Sequence, residues 1–537
     1  MVRYFLFEMN IVKSKWFPLV IFCVMQIGTS SDNSVLGNAT ASLLDSLHTS
    51  VTAIQVSNTV YPLIAGAFMI VFGIVGLIWG WKRLLQVGVL LLVAAETVAF
   101  LSPNIFILTY VARILAGFGA SMLIPAILGF VVNIYNHQEQ LLAFGMIAAA
   151  NGIAAAVGPI VGGWLIVTYG WRFAFLALAI LFSLTFFGAL FVKDIPKLKK
   201  TPKLDFVGMV LIVSSLLLCI YGLLQINQWG LIRPVHAPFT LLGFSPCGVF
   251  IVAGMIIFWF FVHWEKHAEA QGKTVLLPKI FRQTAAVRSG LCMTALTFFI
   301  LGSFNFVIVT FLQIVINYNA IQTGLVLMTY AIGMVMFSVG TPILNKCPAP
   351  RLICRIGIIV STVACVFLAS GLQTSATDPW LLVGLFIAGA GSGLLASQAS
   401  IVITTAIPPS YAEQSGGIQG AVRNIGQAVG IALLGVVLIA SLTYSVKVKT
   451  GVTPYLDASL KHKVELVKNV PFISNQQVKQ LLLKQNILAA ERAELIRINE
   501  QSRLVAARIS LLVLGMLILL FIFFTNGLPK KLFAKKL

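Results

Sequence analysis

Charge is scarce in this sequence. Of 537 residues, 10% are Asp, Glu, Lys or Arg, against about 25% in a soluble domain. That shortage excludes a chain with enough polar surface to live in water. Acids are rarer still, 16 against 37 Lys and Arg. The seven cysteines are scattered in or beside apolar runs, and their spacing fits neither a disulfide framework nor a metal module. The motifs G-x-x-x-x-G-K-S/T and H-E-x-x-H are both missing. Their absence argues against ATP-driven pumping and metal-assisted hydrolysis. No histidine falls in the middle of an apolar run. The sequence therefore calls for no cofactor and no metal, and an enzyme is not expected.

Apolar length is what the chain has instead. Hydrophobic residues make up 59% of it, and the mean hydropathy is +0.97. Backbone amides in a bilayer must pair internally, which leaves helices or closed barrels. Barrel strands would alternate apolar and polar residues, whereas these runs are continuous. A span needs roughly 20 apolar residues. Fourteen such runs lie near 17–38, 56–80, 84–101, 104–134, 140–165, 171–193, 205–225, 239–263, 285–312, 321–344, 352–372, 379–405, 416–442 and 509–526. The fourth is too long for one straight pass. The expected fold is thus an all-α polytopic membrane protein.

Loop charge sets the expected orientation. Lys193, Lys197, Lys199, Lys200 and Lys203 follow the sixth run, and Lys266, Lys273, Lys279, Arg282 and Arg288 follow the eighth. Lys82 and Arg83, then Lys346, Arg351 and Arg355, follow the second and tenth. All fall on one side if both chain ends are cytoplasmic. The formal charge of +21 is thereby a topology signal, and nucleic acid is not an expected partner. Arg3, Lys13 and Lys15 before the first run imitate a signal peptide, but no small-residue cleavage site follows. The first span is read as uncleaved. The sequon Asn38-Ala39-Thr40 abuts that span and carries no weight by itself.

One connection is long. Residues 443–508 hold eleven Lys or Arg and five Asp or Glu, which a long outer loop tolerates. From Asn475 onward Val478, Leu481, Leu482, Leu488, Leu495 and Ile498 interleave with charges at helical spacing. A helical hairpin or bent helix on the outer surface is expected, as a solvated cap or as a gating or docking element.

Ionisable residues inside spans are the sharpest functional signal, because burying a charge there costs about 2.5–3.5 kcal/mol on insertion scales. Asp32, Glu96, Arg113 and Arg423 stand out. By helical rise, Asp32 and Glu96 lie about 22 and 18 Å from the inner ends of their spans, and Arg113 lies about 13 Å from the outer end of its own. One layer near the midplane could hold all three. That arrangement suits a proton carrier tuned by Arg113, with a fixed ion pair as the structural alternative. The stretch Gln26 to Ser34 is too polar to face lipid. Gln26, Asn33, Asn151, Gln313 and Arg423 are candidates to line a substrate cavity.

These residues also carry a resemblance. The fourth run reads Arg113-Ile-Leu-Ala-Gly117-Phe-Gly119-Ala120 with Pro125 following. The fifth has Gly145, Ala154 and then Gly158-Pro159-Ile-Val-Gly162-Gly163. Asp32-Asn-Ser-Val-Leu-Gly opens a motif in the first. Gly416-Gly417, Arg423, Gly426 and Gly430 recur in the thirteenth. The pattern resembles the major facilitator superfamily, in its fourteen-span drug:proton antiporter branch. The resemblance implies two six-helix bundles, 1–193 and 285–537, joined by two extra spans in 194–284. It also implies that Gly158, Pro159, Gly162 and Gly163 form a bending and gating element. One departure is large. Where the family has Gly-x-Leu-Ala-Asp-Arg-x-Gly-Arg-Lys, this chain has Gly73-Ile-Val-Gly76-Leu77-Ile78-Trp79-Gly80-Trp81-Lys82-Arg83. Leu77 stands for the acid and Trp81 for a base.

The expected function is proton-coupled export of small organic solutes or drugs by alternating access, in the inner or plasma membrane. The alternatives are a specific metabolite or siderophore carrier, which could be an importer, and a non-transporting scaffold or sensor. Expected partners are a small-molecule substrate, protons and the lipid bilayer, with the chain a monomer.

Overall fold

A long apolar segment in lipid satisfies its amides by closing i to i+4 hydrogen bonds within itself. The computed structural model is built this way. It describes residues 15–530 apart from 136, 196–204, 231–233, 235–236, 238, 242, 272, 274, 345–348, 374–378, 409–411, 468 and 484–487. Six long helices come first: α1 Phe17–Asn38, α2 Val51–Trp79, α3 Trp81–Leu101, α4 Arg113–Ile134, α5 His137–Tyr169 and α6 Trp171–Leu190. A pair follows, α7 Phe206–Trp229 and α8 Pro246–Ala270. Six more complete the chain: α9 Ala285–Ile314, α10 Ala320–Leu344, α11 Pro350–Gly371, α12 Pro379–Ala406, α13 Ala412–Val452 and α14 Ala489–Leu520. The one β-type contact among the described residues is a bridge between Leu241 and Phe244.

By length and composition, 13 helices are apolar enough to cross a membrane; α5 keeps a shorter apolar stretch, Val157–Tyr169, among its described residues. The packing repeats itself. In the first six, α1 packs on α5 and α6, α4 on α2 and α3, and α3 on α6. In the last six, α9 packs on α13 and α14, α12 on α10 and α11, and α11 on α14. The sets meet through α2 against α13 and α5 against α10, positions that correspond under the same repeat. Helices α7 and α8 pack on each other and touch the rest through α2 and α13.

Some boundaries depart from the apolar runs. The run at 239–263 becomes a helix only at Pro246, because Ser245 caps it by accepting from the Cys247 amide at 3.3 Å. It continues past its apolar end to Ala270, where the buried Glu265 accepts from the backbone amides of Leu276 and Leu277 at 3.2 and 2.8 Å. The overlong fourth run breaks into Ile105–Ile107, a π-helical turn Leu108–Ala112, and α4.

The 443–508 segment is mostly helix. α13 runs on to Val452 and α14 begins at Ala489, so both project beyond their apolar stretches. Short helices Ala458–Leu466 and Asn475–Leu483 lie between them. Arg503, fully buried, ties this cap down: its Nη1 donates to the carbonyls of Ile473 and Ile314 at 2.8 and 3.3 Å, and its Nη2 donates to Asn475. Gln477 Nε2 reaches Asp45 Oδ1 at 3.5 Å. The cap thus touches both six-helix sets.

Trp81 shows what replaces the charged loop that the resemblance implies. Its ring is buried and lies against Gly76 of α2 and Gly129 of α4, where an added Cβ would fall 2.1 and 2.5 Å from the ring. An indole wedge holds three helices here by packing. Gly80, which turns the chain into it, has a φ of 97°, a left-handed conformation that glycine adopts without strain. Trp81→Ala is expected to cost about 3–5 kcal/mol, read as a lower unfolding temperature in detergent.

Candidate functional site

Three charged side chains from three helices meet with no exposed surface. Arg113 Nη1 donates to Asp32 Oδ1 at 2.6 Å, and Arg113 Nη2 lies 3.4 Å from both Glu96 oxygens. All three side chains are 0% exposed. Glycines let α4, which carries Arg113, approach its neighbours closely. Gly117 brings α4 against the Tyr61 carbonyl and Ile64 of α2, and Gly119 brings it against the Gly88 carbonyl of α3. Arg113 itself follows the π-turn, a feature frequent at functional sites. Aromatic faces complete the surround: the guanidinium carbon lies 5.1 Å from the Phe175 ring and 5.9 Å from that of Tyr61. The Tyr61 hydroxyl donates to the Thr29 carbonyl at 3.4 Å.

The charge count of this cluster is unequal. Two carboxyls face one guanidinium, so full ionisation leaves one negative charge buried, which is strongly unfavourable. A proton on either carboxyl makes the cluster neutral. Among the described residues Asp32 Oδ2 has no hydrogen-bond partner, which leaves one acidic oxygen to carry it.

Residues of α1, α2, α9 and α13 line a separate small cavity of about 30 Å³, with Thr40, Asn58, Asn305, Phe306, Thr310 and Gln427 among its walls. Asn58 sits one helical turn from Tyr61. Sequence reasoning missed Asn58, Asn305 and Gln427. Each is a single neutral amide in an apolar run, and nothing in its own run marks it off from Gln26 or Gln313.

The other anticipated residues have varied surroundings. Arg423 lies with its guanidinium carbon 4.4 Å from the Phe298 ring, one turn from Gln427. Gln26 is buried and its amide reaches Thr29 Oγ1 and Ser30 Oγ, at 3.5 and 3.3 Å, within its own helix. Gln313 does not line the cavity. Its Nε2 donates to the Asn38 carbonyl at 2.7 Å and its Oε1 accepts from the Ala41 amide at 3.0 Å, so it clasps α9 to the end of α1. The side chains of Asn33 and Asn151 lie outside the described residues.

Gly158, Pro159, Gly162 and Gly163 gather at that same clasp. Gly158 and Gly162 face Ser31 and Val35 of α1, while Gly163 faces the Ala320 carbonyl of α10. The Pro159 carbonyl accepts from Asn38 Nδ2 at 3.1 Å and lies against Gly324. Asn38 is therefore buried and engaged, which makes it a poor glycan acceptor. A Cβ at Gly163 would come within 2.6 Å of a backbone oxygen, and backbone yields little. Gly163→Leu is expected to prise α5 from α10 and lower stability by about 1–3 kcal/mol, measured by thermal unfolding.

The model of the Major Facilitator Superfamily matches residues 22–431. The chain belongs to that superfamily. This superfamily member is an integral, multi-pass transporter of the plasma membrane. It is 26% identical over 435 residues, 80% of its own length and 73% of the relative's, to the probable actinorhodin transporter of Streptomyces coelicolor. It is 24% identical over 441 residues, 82% of its length and 84% of the relative's, to the multidrug efflux pump LfrA of Mycolicibacterium smegmatis. Its fold is like that of a bacterial homologue of the human lysosomal transporter Spinster, solved inward-facing and unoccupied. That likeness has a TM-score of 0.59 and 13% identity over 96% of this chain and 97% of that one.

Proposed function

We propose that this transporter exports small organic solutes in exchange for protons, by alternating access. The observation that carries the reading is the buried cluster of Asp32, Arg113 and Glu96. Its unequal charge count makes it a one-proton store, and its place between α1, α3 and α4 lets it sense how those helices sit. Direction is supported by the efflux activity named for one relative. The moving bodies are α1–α6 and α9–α14, on the strength of their repeated packing, with α7 and α8 as an added pair. The loop charges support fourteen spans with both ends cytoplasmic, an arrangement in which the clasp at Asn38, Pro159 and Gln313 lies on the outer side. The clasp then closes the outer path, and the cap over it moves when the path opens.

The test is a reconstituted one. Proteoliposomes loaded with a pH-sensitive dye are given a pH gradient and then a panel of candidate solutes. An exporter of this kind couples at least one solute to proton movement in the opposite direction. Counterflow of solute with no accompanying proton flux would replace antiport with uniport.

A further inference from the structure

We propose that the cavity beside Arg423 is a subsite for an aromatic organic anion. This deepens the transport reading and rests on it, because the subsite would lie on the same solute path.

The geometry comes from two helix faces. On α13, Arg423, Gln427 and Ile431 follow one another at four-residue spacing and so share a stripe; Gln427 and Ile431 line the cavity. On α9, Phe298, Gly302 and Phe306 do the same, and Gly302 and Phe306 line it. Arg423 and Phe298 are not among the lining residues; they pair one turn away on the same two stripes, with the guanidinium carbon 4.4 Å from the ring. Gly302 holds the two faces close, with an added Cβ only 2.7 Å from the Gln427 carbonyl.

The chemistry of the lining selects a ligand class. None of the lining residues is charged, and the adjoining charge is the Arg423 cation. Asp32 and Glu96 both face Arg113, and neither is among the described residues that line the cavity. Among the described residues, the guanidinium of Arg423 has no ion pair, its recorded contact being the Phe298 face. A guanidinium on an aromatic platform binds a carboxylate or phenolate through paired N–H donors and stacks on its ring. Amides at Asn58, Asn305 and Gln427 add neutral donors and acceptors, and Phe306 adds an apolar wall. The space of about 30 Å³ admits about one or two waters, so a solute enters when the two six-helix sets move apart.

The experiment is equilibrium binding by calorimetry on the full chain in nanodiscs. Salicylate and 6-carboxyfluorescein serve as anions, and ethidium as the cation. Wild type is expected to bind an anion in preference to ethidium. Arg423→Gln should weaken anion binding by about ten-fold or more, the worth of a charge-assisted hydrogen bond. Arg423→Lys should retain part of it, and Asn305→Ala should weaken it less. If Arg423→Gln fails to give a monodisperse protein, the lysine and Asn305 variants decide. Anion binding indifferent to all three variants, or no anion binding at all, overturns the proposal. The parent reading fails separately. Arg423-dependent anion binding with no proton-linked flux of any solute removes the antiport and leaves the subsite. Proton-linked flux of ethidium with no anion binding removes the subsite and leaves the antiport.

Discussion

Asp32→Asn is expected to abolish transport driven by a pH gradient while leaving the protein folded. The substitution keeps the shape and the oxygen that accepts from Arg113 Nη1 at 2.6 Å. It removes the oxygen without a partner, Oδ2, and with it the place for an exchangeable proton. Glu96 and Arg113 then match one carboxylate to one guanidinium, so the pair is neutral without a proton. Dye-loaded proteoliposomes should show solute-dependent proton flux at the level of empty liposomes, with an unfolding temperature equal to or above wild type. Downhill exchange of solute against solute should persist, because it needs no proton. Glu96→Gln should do less, since its contacts to Arg113 are longer, at 3.4 Å. Wild-type coupling in the Asp32 variant would show that the cluster is a fixed ion pair with no part in the proton cycle.

The sequence made the long helices legible because a bilayer imposes length and apolarity together. The first apolar run and α1 coincide at 17–38, and Asp32, Glu96 and Arg113 were conspicuous because charge is so rare there. What it hid has equally physical causes. Helical spacing was legible from Asn475 onward, but not that α14 runs unbroken from Ala489, twenty residues before its apolar run, since hydropathy marks only the part in lipid. Trp81 reads as the loss of a base from a charged loop until Gly76 and Gly129 are seen to make room for its ring. Gln313 reads as a polar side chain facing a cavity, but its two amide ends are held by the backbone of Asn38, at the end of α1, and of Ala41, in the short helix Thr40–Ser46 that follows. The cavity amides were hidden by a different rule. Asn58, Asn305 and Gln427 come from three helices far apart in sequence, and neutral amides disturb hydropathy little. Spacing along one chain cannot show that they converge.

Arg113→Gln should be the most destabilising single change in the molecule, and its rescue pattern tests the charge count directly. Removing one partner of a buried ion pair costs about 3–5 kcal/mol, because the remaining charge is left uncompensated. Here two carboxyls lose the same cation at once. The cation also sits between the rings of Phe175 and Tyr61, so packing is lost with the charge. The variant is expected to unfold at a markedly lower temperature in detergent, and to regain stability as the pH is lowered and both carboxyls take up protons. Adding Asp32→Asn and Glu96→Gln to it should restore most of the loss without acid, since a neutral hydrogen-bonded cluster of similar volume can replace a buried charged one. Acid and the double substitution should therefore substitute for each other. If the triple variant remained as unstable as Arg113→Gln alone, shape rather than charge would be what Arg113 supplies, and the cluster would lose its standing as a proton store. Stability recovered by either route, with no transport in the triple variant, separates holding the helices together from carrying the proton.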